Sequence, residues 1–553
     1  MALIRVNGFP VITYDWNALR ERYWTELSNV LIEKHGNQKF TEHTKVDEIL
    51  IDGFQYFVEQ FRTLILSDVS YRFFVYTFHL HEESIKLHRT ILAGYTLNKT
   101  RDVIDDNEFA IYRRILKLIL EQGCDIDMQR GRVPSQQDFV DMNDKIQNLI
   151  YLGTWMYSFA ESIAFQKMIE DCHTIEFDEL NLLMIDWQYH YGKTYNQLFP
   201  MLREDYSKGT YDENAVEELI TTIEKCFSVD YNFAGGIIFE IKKHFNPQEP
   251  EFQTIEPEVL PLNLVQEYGI SQDIADKFYA GLSISRQNKL SIEDAILKPH
   301  STQRYMFRPI LIYNIDGENR ALVGEQKFVE SIIVLATNAI HWNSILKEWL
   351  TVKGVQAFIN KKGDEHDKIL EDEIEKIIKD KGFLYCRNIK TFKQTSGVNL
   401  RIDNELAGEI DFIIVNLKLK VVYIADAKYN KTKYEAVGYR TDNSNFISSY
   451  EPQLLKKVNW LSENLQVLQD HLKIINNLIE LDITDFRVEG IFLINTPTFY
   501  MFNGKYKAIT LKQTGDFLDG KYEYPTLMIY EETGDEEQLV IVQHPYFRKP
   551  EIE

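Results

Sequence analysis

Cysteine is scarce: Cys124, Cys172, Cys226 and Cys386 are the only four in 553 residues, and each stands alone. Isolated cysteines supply neither a structural zinc site nor a disulfide framework, so a reducing, cytoplasmic setting is expected. Long apolar runs are missing too. None approaches the ~18 residues that a membrane span needs, and a membrane partner is not expected. The opening MALIRVNGFPVITYDW has no charged segment leading into an apolar one, so no signal peptide is expected. Positive charge is also short, with 61 Lys and Arg against 84 Asp and Glu, a net of -23. Acid in such excess repels nucleic acid unless the charge is uneven. It is uneven: residues 351–440 hold 17 basic and 14 acidic residues, a net of +3, which leaves -26 on the rest. Of 14 prolines, four fall in NPQEPEFQTIEPEVLPLN, which reads as an acidic linker over 246–263.

What is present suits several cores. The chain is 44 % hydrophobic and 13 % aromatic, and its length exceeds one core. Residues 1–245 read as an all-α region, a scaffold or partner-binding domain. Asp15 caps a first helix, and Val46, Ile49, Leu50, Phe54, Phe57, Phe61 and Leu64 recur at helical spacing. His79, His81, Glu82 and His88 invite a metal reading, but neighbours two apart do not share a helix face, and ordinary surface and interface histidines are expected. Trp187, His190 and Tyr191 read as an aromatic helix face. Residues 264–350 read as a small α+β bridging module, with a hairpin about Asp316–Asn319 and one long helix over 325–350.

The most informative stretch is GEIDFIIVNLKLKVVYIADAKY, residues 408–429. Two β-rich runs carry acid where buried strands are normally apolar: Glu409 and Asp411 in the first, Asp426 in the second. Lys428 shares a strand face with Asp426, because side chains alternate. Buried carboxylates are costly unless they are paired or bind metal, so a divalent-metal site is expected. Upstream, Ile369, Leu370, Ile374, Ile377 and Ile378 form an amphipathic stripe ended by Gly382. Glu371 lies beside that stripe, with Glu373 as a competitor, and either acid leans toward Asp411 and Asp426 or faces water.

These residues resemble the PD-(D/E)XK nuclease superfamily. Asp411 with Asp426-Ala427-Lys428 matches its acid and acid-x-lysine signature, and Leu370-Glu371 followed by Gly382 matches the preceding helix of Mrr-like members. The resemblance covers 351–553 and implies a C-terminal α/β restriction-endonuclease-like domain behind the all-α region. It implies Mg²⁺, replaceable by Mn²⁺, held by Asp411, Asp426 and the carbonyl of Ala427, with Glu371 and Glu409 assisting. Lys428 would stabilise charge on the phosphate, and Gln453 would be the glutamine of the following helix. Tyr429, Lys431, Lys433 and Arg440 would contact nucleic acid, DNA in preference to RNA. The expected function is a metal-dependent endonuclease, of the kind used in restriction or antiviral defence, regulated by its helical region, with a homodimer as a candidate assembly. The alternatives are a non-catalytic nucleic-acid-binding or assembly subunit, and an RNase of the same fold.

Overall fold

Apolar side chains at helical spacing build the first half of the chain. The computed structural model describes residues 3–67, 69–203, 215–230, 254–339, 345–402, 407–533 and 536–549. Helix α1 (His43–Leu66) buries Val46, Ile49, Leu50, Phe54, Phe57 and Phe61, the stripe expected from sequence. Helices α3 (Asp106–Gly123) and α4 (Gln136–Met168) pack against it, and α2 (Tyr71–Leu92) packs on α3 and α4. Gly53 allows the close crossing of α1 and α4, since a Cβ there would fall 2.3 Å from the Phe159 ring. Among the described residues no helix is long and apolar enough to cross a membrane.

The molecule is mixed α/β throughout, and the all-α expectation for residues 1–245 is wrong. Leu3–Val6 and Phe9–Ile12 form an antiparallel hairpin. Asn7 and Gly8 both take positive φ at its turn, as an Asn-Gly hairpin requires. His173–Phe177 and Leu183–Trp187 form a second hairpin, closed by Asp178, whose Oδ1 accepts the amides of Leu180 and Leu182. Trp187 is therefore on a strand.

The middle of the chain is interwoven with its neighbours. Ile310–Ile315 and Glu318–Val323 pair about Asp316-Gly317, and Asp127–Met128 of the helical region joins the same sheet. Thr254–Ile255 pairs on the other side of that sheet, and a helix runs over Val259–Tyr268. The second half of the expected linker is thus folded, while 246–253 lies outside the described residues. The expected long helix is interrupted: α5 (Glu325–Val334) passes into a wider π turn at Leu335–Ala339, and a separate turn forms at Lys347–Leu350.

The C-terminal part is a five-stranded sheet in the order β1 (Leu384–Ile389), β2 (Ile410–Asn416), β3 (Val421–Lys428), β4 (Arg487–Ile494), β5 (Lys507–Thr510). The first two pairings are antiparallel and the last two parallel. Helix α6 (Val355–Asp380) presses Leu370, Ile374 and Ile378 onto one face. Between β3 and β4 come α7 (Ala436–Asn445) and α8 (Glu451–Glu463). Helix α8 covers the other face, where Leu454 sits against Gly490 of β4. Segment 436–445 is helical because Ala436, Val437 and Tyr439 bury one side of it against α4. The hairpin Leu527–Thr533 and Glu536–Val542 follows the sheet.

Candidate active site

Antiparallel register brings the two acidic strands to one point. Phe412 pairs with Ala425, and one further step of that register sets Asp411 against Asp426. Opposed residues share a face of the sheet, here the face under α8. Asp426 is fully buried. Lys457 of α8 reaches its Oδ1 at 2.5 Å, and the Lys428 ammonium lies 3.6 Å from Oδ2. Asp426 Oδ2 has no hydrogen-bond donor among the described residues. Asp411 is half-buried, and its Oδ2 accepts the Ala427 amide at 2.9 Å. Burial and then the Asp426 charge push the Asp411 carboxyl up to about 6, against the opposing pull of Lys457 and Lys428.

A cleft of about 410 Å³ opens beside this pair and is lined by Glu371, Glu409, Asp411, Ala427, Lys428 and Tyr429. Six of the residues singled out in the sequence thus share one surface. Glu373 faces solvent instead, so of the two helix acids it is Glu371 that lines the cleft. Neither glutamate is free, however. Glu371 Oε2 accepts from Arg387 at 2.9 Å and from Asn388 at 3.0 Å. Arg387 also holds Asp372 and Glu375, at 2.6 and 2.8 Å. Asn388 takes a left-handed φ of 52° near the end of β1, a conformation Asn tolerates better than most residues. Glu409 pairs with Lys390 at 2.9 Å.

Other expectations do not meet the cleft. Gln453 is exposed on the solvent side of α8, with Ser449 as its neighbour at 3.3 Å, so it is no part of the site. The residue that α8 does contribute is Lys457, on the buried stripe Leu454, Lys457, Leu461. A lysine at a position where the helical period demands an apolar side chain was a legible signal. Lys431, Lys433 and Arg440 do not line the cleft, because the docking of α7 on α4 turns their segment toward the helical region. Burial and then Lys433 bring the Lys431 ammonium down to about 8. Lys433 lies 3.7 Å from Asp442. Burial, with Lys431 and Lys433 adding to it, lowers His300 to about 3. Arg440 lies on α7 itself. Glu435, just before that helix, pairs with Arg114 of α3 at 2.5 Å.

Among the described residues no group of three or more His, Cys, Asp or Glu side chains is placed to hold a metal ion. The donor set still suits Mg²⁺, which needs only one or two carboxylates and keeps several waters. Asp411 and Asp426 are opposed like charges with one unpartnered oxygen, and the Ala427 carbonyl is a further hard donor. No family model, no curated protein and no solved structure matches the chain.

Proposed function

We propose that this cleft is the active site of a Mg²⁺-dependent nuclease of the PD-(D/E)XK kind, hydrolysing phosphodiester bonds in DNA. The observation that carries the reading is the setting of Asp411 against Asp426, with Lys428 on the same face and beside an open cleft. The order α6-β1-β2-β3-α8-β4, with helices on both faces of a mixed sheet, supports it. A bound divalent ion would neutralise the scissile phosphate and lower the pKa of an attacking water. Asp411, Asp426 and the Ala427 carbonyl would hold that ion. Lys457 pairs with the buried Asp426, and Lys428, whose ammonium lies 4.8 Å from the Tyr450 ring centroid, reaches the phosphate as charge builds on it. The Arg114–Glu435 pair ties the segment that follows Lys428 to the helical region, a route by which that region would regulate the cleft.

A second reading is a non-catalytic nucleic-acid-binding or assembly subunit. It is favoured by Arg387, which already neutralises Glu371, and by the turning of Lys431 and Lys433 away from the cleft. Cleavage decides between them. Supercoiled plasmid and a structured RNA are incubated with Mg²⁺, Mn²⁺ or EDTA, with Asp411→Asn and Lys428→Met run alongside. Metal-dependent nicking of the plasmid, lost in both variants, is expected. Cleavage of RNA alone would transfer the reading to an RNase, and cleavage of neither would favour the assembly subunit.

A further inference from the structure

A second cluster lies where α2, α3 and α5 pack together, and its charges do not balance. Lys327 of α5 is fully buried and donates to Glu330 at 2.7 Å. Arg113 of α3 pairs with the same carboxylate, so one acid serves two cations. Lys117, one turn further along α3, has no hydrogen bond or ion pair among the described residues. Burial brings its ammonium down to about 7, with Glu330 the strongest charge acting on it. Glu82 is a second acid of the cluster, its carboxylate accepting the Gln326 and Lys327 amides at 2.9 Å and acting on Lys327, which still leaves three cations to two acids.

The same place gathers unpartnered donors. His81 is 0 % exposed and packs on Tyr305 with 5.5 Å between ring centroids. Neither His81 ring nitrogen has a hydrogen-bond partner among the described residues, and the Arg113 Nε and the Tyr305 hydroxyl are buried in the same condition. Buried polar groups are normally satisfied, and a buried charge is normally paired. A guanidinium, an ammonium, a hydroxyl and an imidazole N–H together are the donors that a tetrahedral oxyanion takes.

We propose that His81, Arg113, Lys117 and Tyr305 form a binding site for a free oxyanion of the phosphate class, where the helical region meets the 264–350 segment and separate from the cleft. The Arg113 and Glu330 side chains are only 11 % and 18 % exposed, so an anion bound among them would be largely desolvated. Glu330 sets the affinity, since its carboxylate competes with the anion for Arg113 and Lys117.

The test is calorimetric titration of inorganic phosphate into the full chain in a chloride buffer, with thermal unfolding followed in parallel. One saturable site per chain and a rise in Tm are expected. Lys117→Met and His81→Leu each weaken binding roughly ten- to a hundredfold, the value of one or two charge-assisted hydrogen bonds. Glu330→Gln tightens it, a change in the direction that loss of folding cannot mimic. Lys428→Met leaves it unchanged, which separates this site from the candidate active site. Absence of any heat and any Tm shift overturns the proposal. So does phosphate binding that survives Lys117→Met undiminished, or that disappears with Lys428→Met.

Discussion

Lys457 and Asp426 offer the sharpest energetic test of the candidate site. Their 2.5 Å ion pair joins a fully buried carboxylate to a lysine whose side chain is itself only 9 % exposed. Removing one member of such a pair leaves the other charge buried and uncompensated, at a cost of about 3–5 kcal/mol, whereas replacing both by neutral groups of similar shape is often close to neutral. Asp426→Asn strands Lys457 and is expected to cost the full amount. Lys457→Met costs less, about 3 kcal/mol, because Lys428 remains 3.6 Å from Asp426. The double variant recovers most of the loss. The assay is urea unfolding followed by tryptophan fluorescence, where a slope of ~3 kcal/mol/M turns these costs into midpoint shifts of roughly 1–2 M. Additive losses in the double variant would refute the coupling. The same geometry makes Asp426→Ala a poor probe of chemistry. Its carboxylate is fully inside the structure, so loss of activity in that variant would confound chemistry with stability, and Asp411→Asn is the cleaner probe.

The remaining predictions concern the cleft. Asp411 titrates near 6 in the folded chain, raised by burial and by Asp426, so the folded state binds its proton more tightly than the unfolded one does. Its ionisation therefore subtracts stability as pH rises from about 4 through 6, and acidification through that window gives it back. Metal-dependent cleavage runs the other way, rising with pH through about 6, and undiminished cleavage at pH 5 would contradict the assignment. Glu371→Gln lowers cleavage less than tenfold and leaves stability within ~1 kcal/mol, because Arg387 keeps Asp372 and Glu375 as partners. A loss as complete as that of Asp411→Asn would show that Glu371 holds the metal. Gln453→Ala leaves both cleavage rate and Tm unchanged, as an exposed residue outside the cleft should; a large fall in rate would return it to the site.

Local patterns carried the parts of the site that lie within one element. Two acids in β-rich runs and the alternation of Asp426 with Lys428 located the point of convergence, and the stripe Leu370, Ile374, Ile378 located α6. The turn at Asp316-Gly317 was legible in the same way. Asn7-Gly8 carried an equally strong hairpin signal, and reading residues 1–245 as all-α missed that hairpin. Features that depend on docking were not legible. Arg387 meets Glu371 only because β1 returns beside α6, and Lys431 comes near His300 in a segment whose helix α7 is held against α4 by Tyr439 and its neighbours. Gln453 and Lys457 are one turn apart on α8, so which of them faces the sheet is decided by the helix's rotation, and the apolar stripe gave that rotation.

The central claim is that opposed aspartates hold a divalent cation beside the cleft. Titration of Mn²⁺ into the full chain, with bound and free ion distinguished by electron paramagnetic resonance, tests it most directly. The account predicts a site per chain that Mg²⁺ displaces, that weakens as pH falls through about 6, and that Asp411→Asn removes. Mn²⁺ binding absent from the folded wild-type chain, or retained in full by Asp411→Asn, would contradict it.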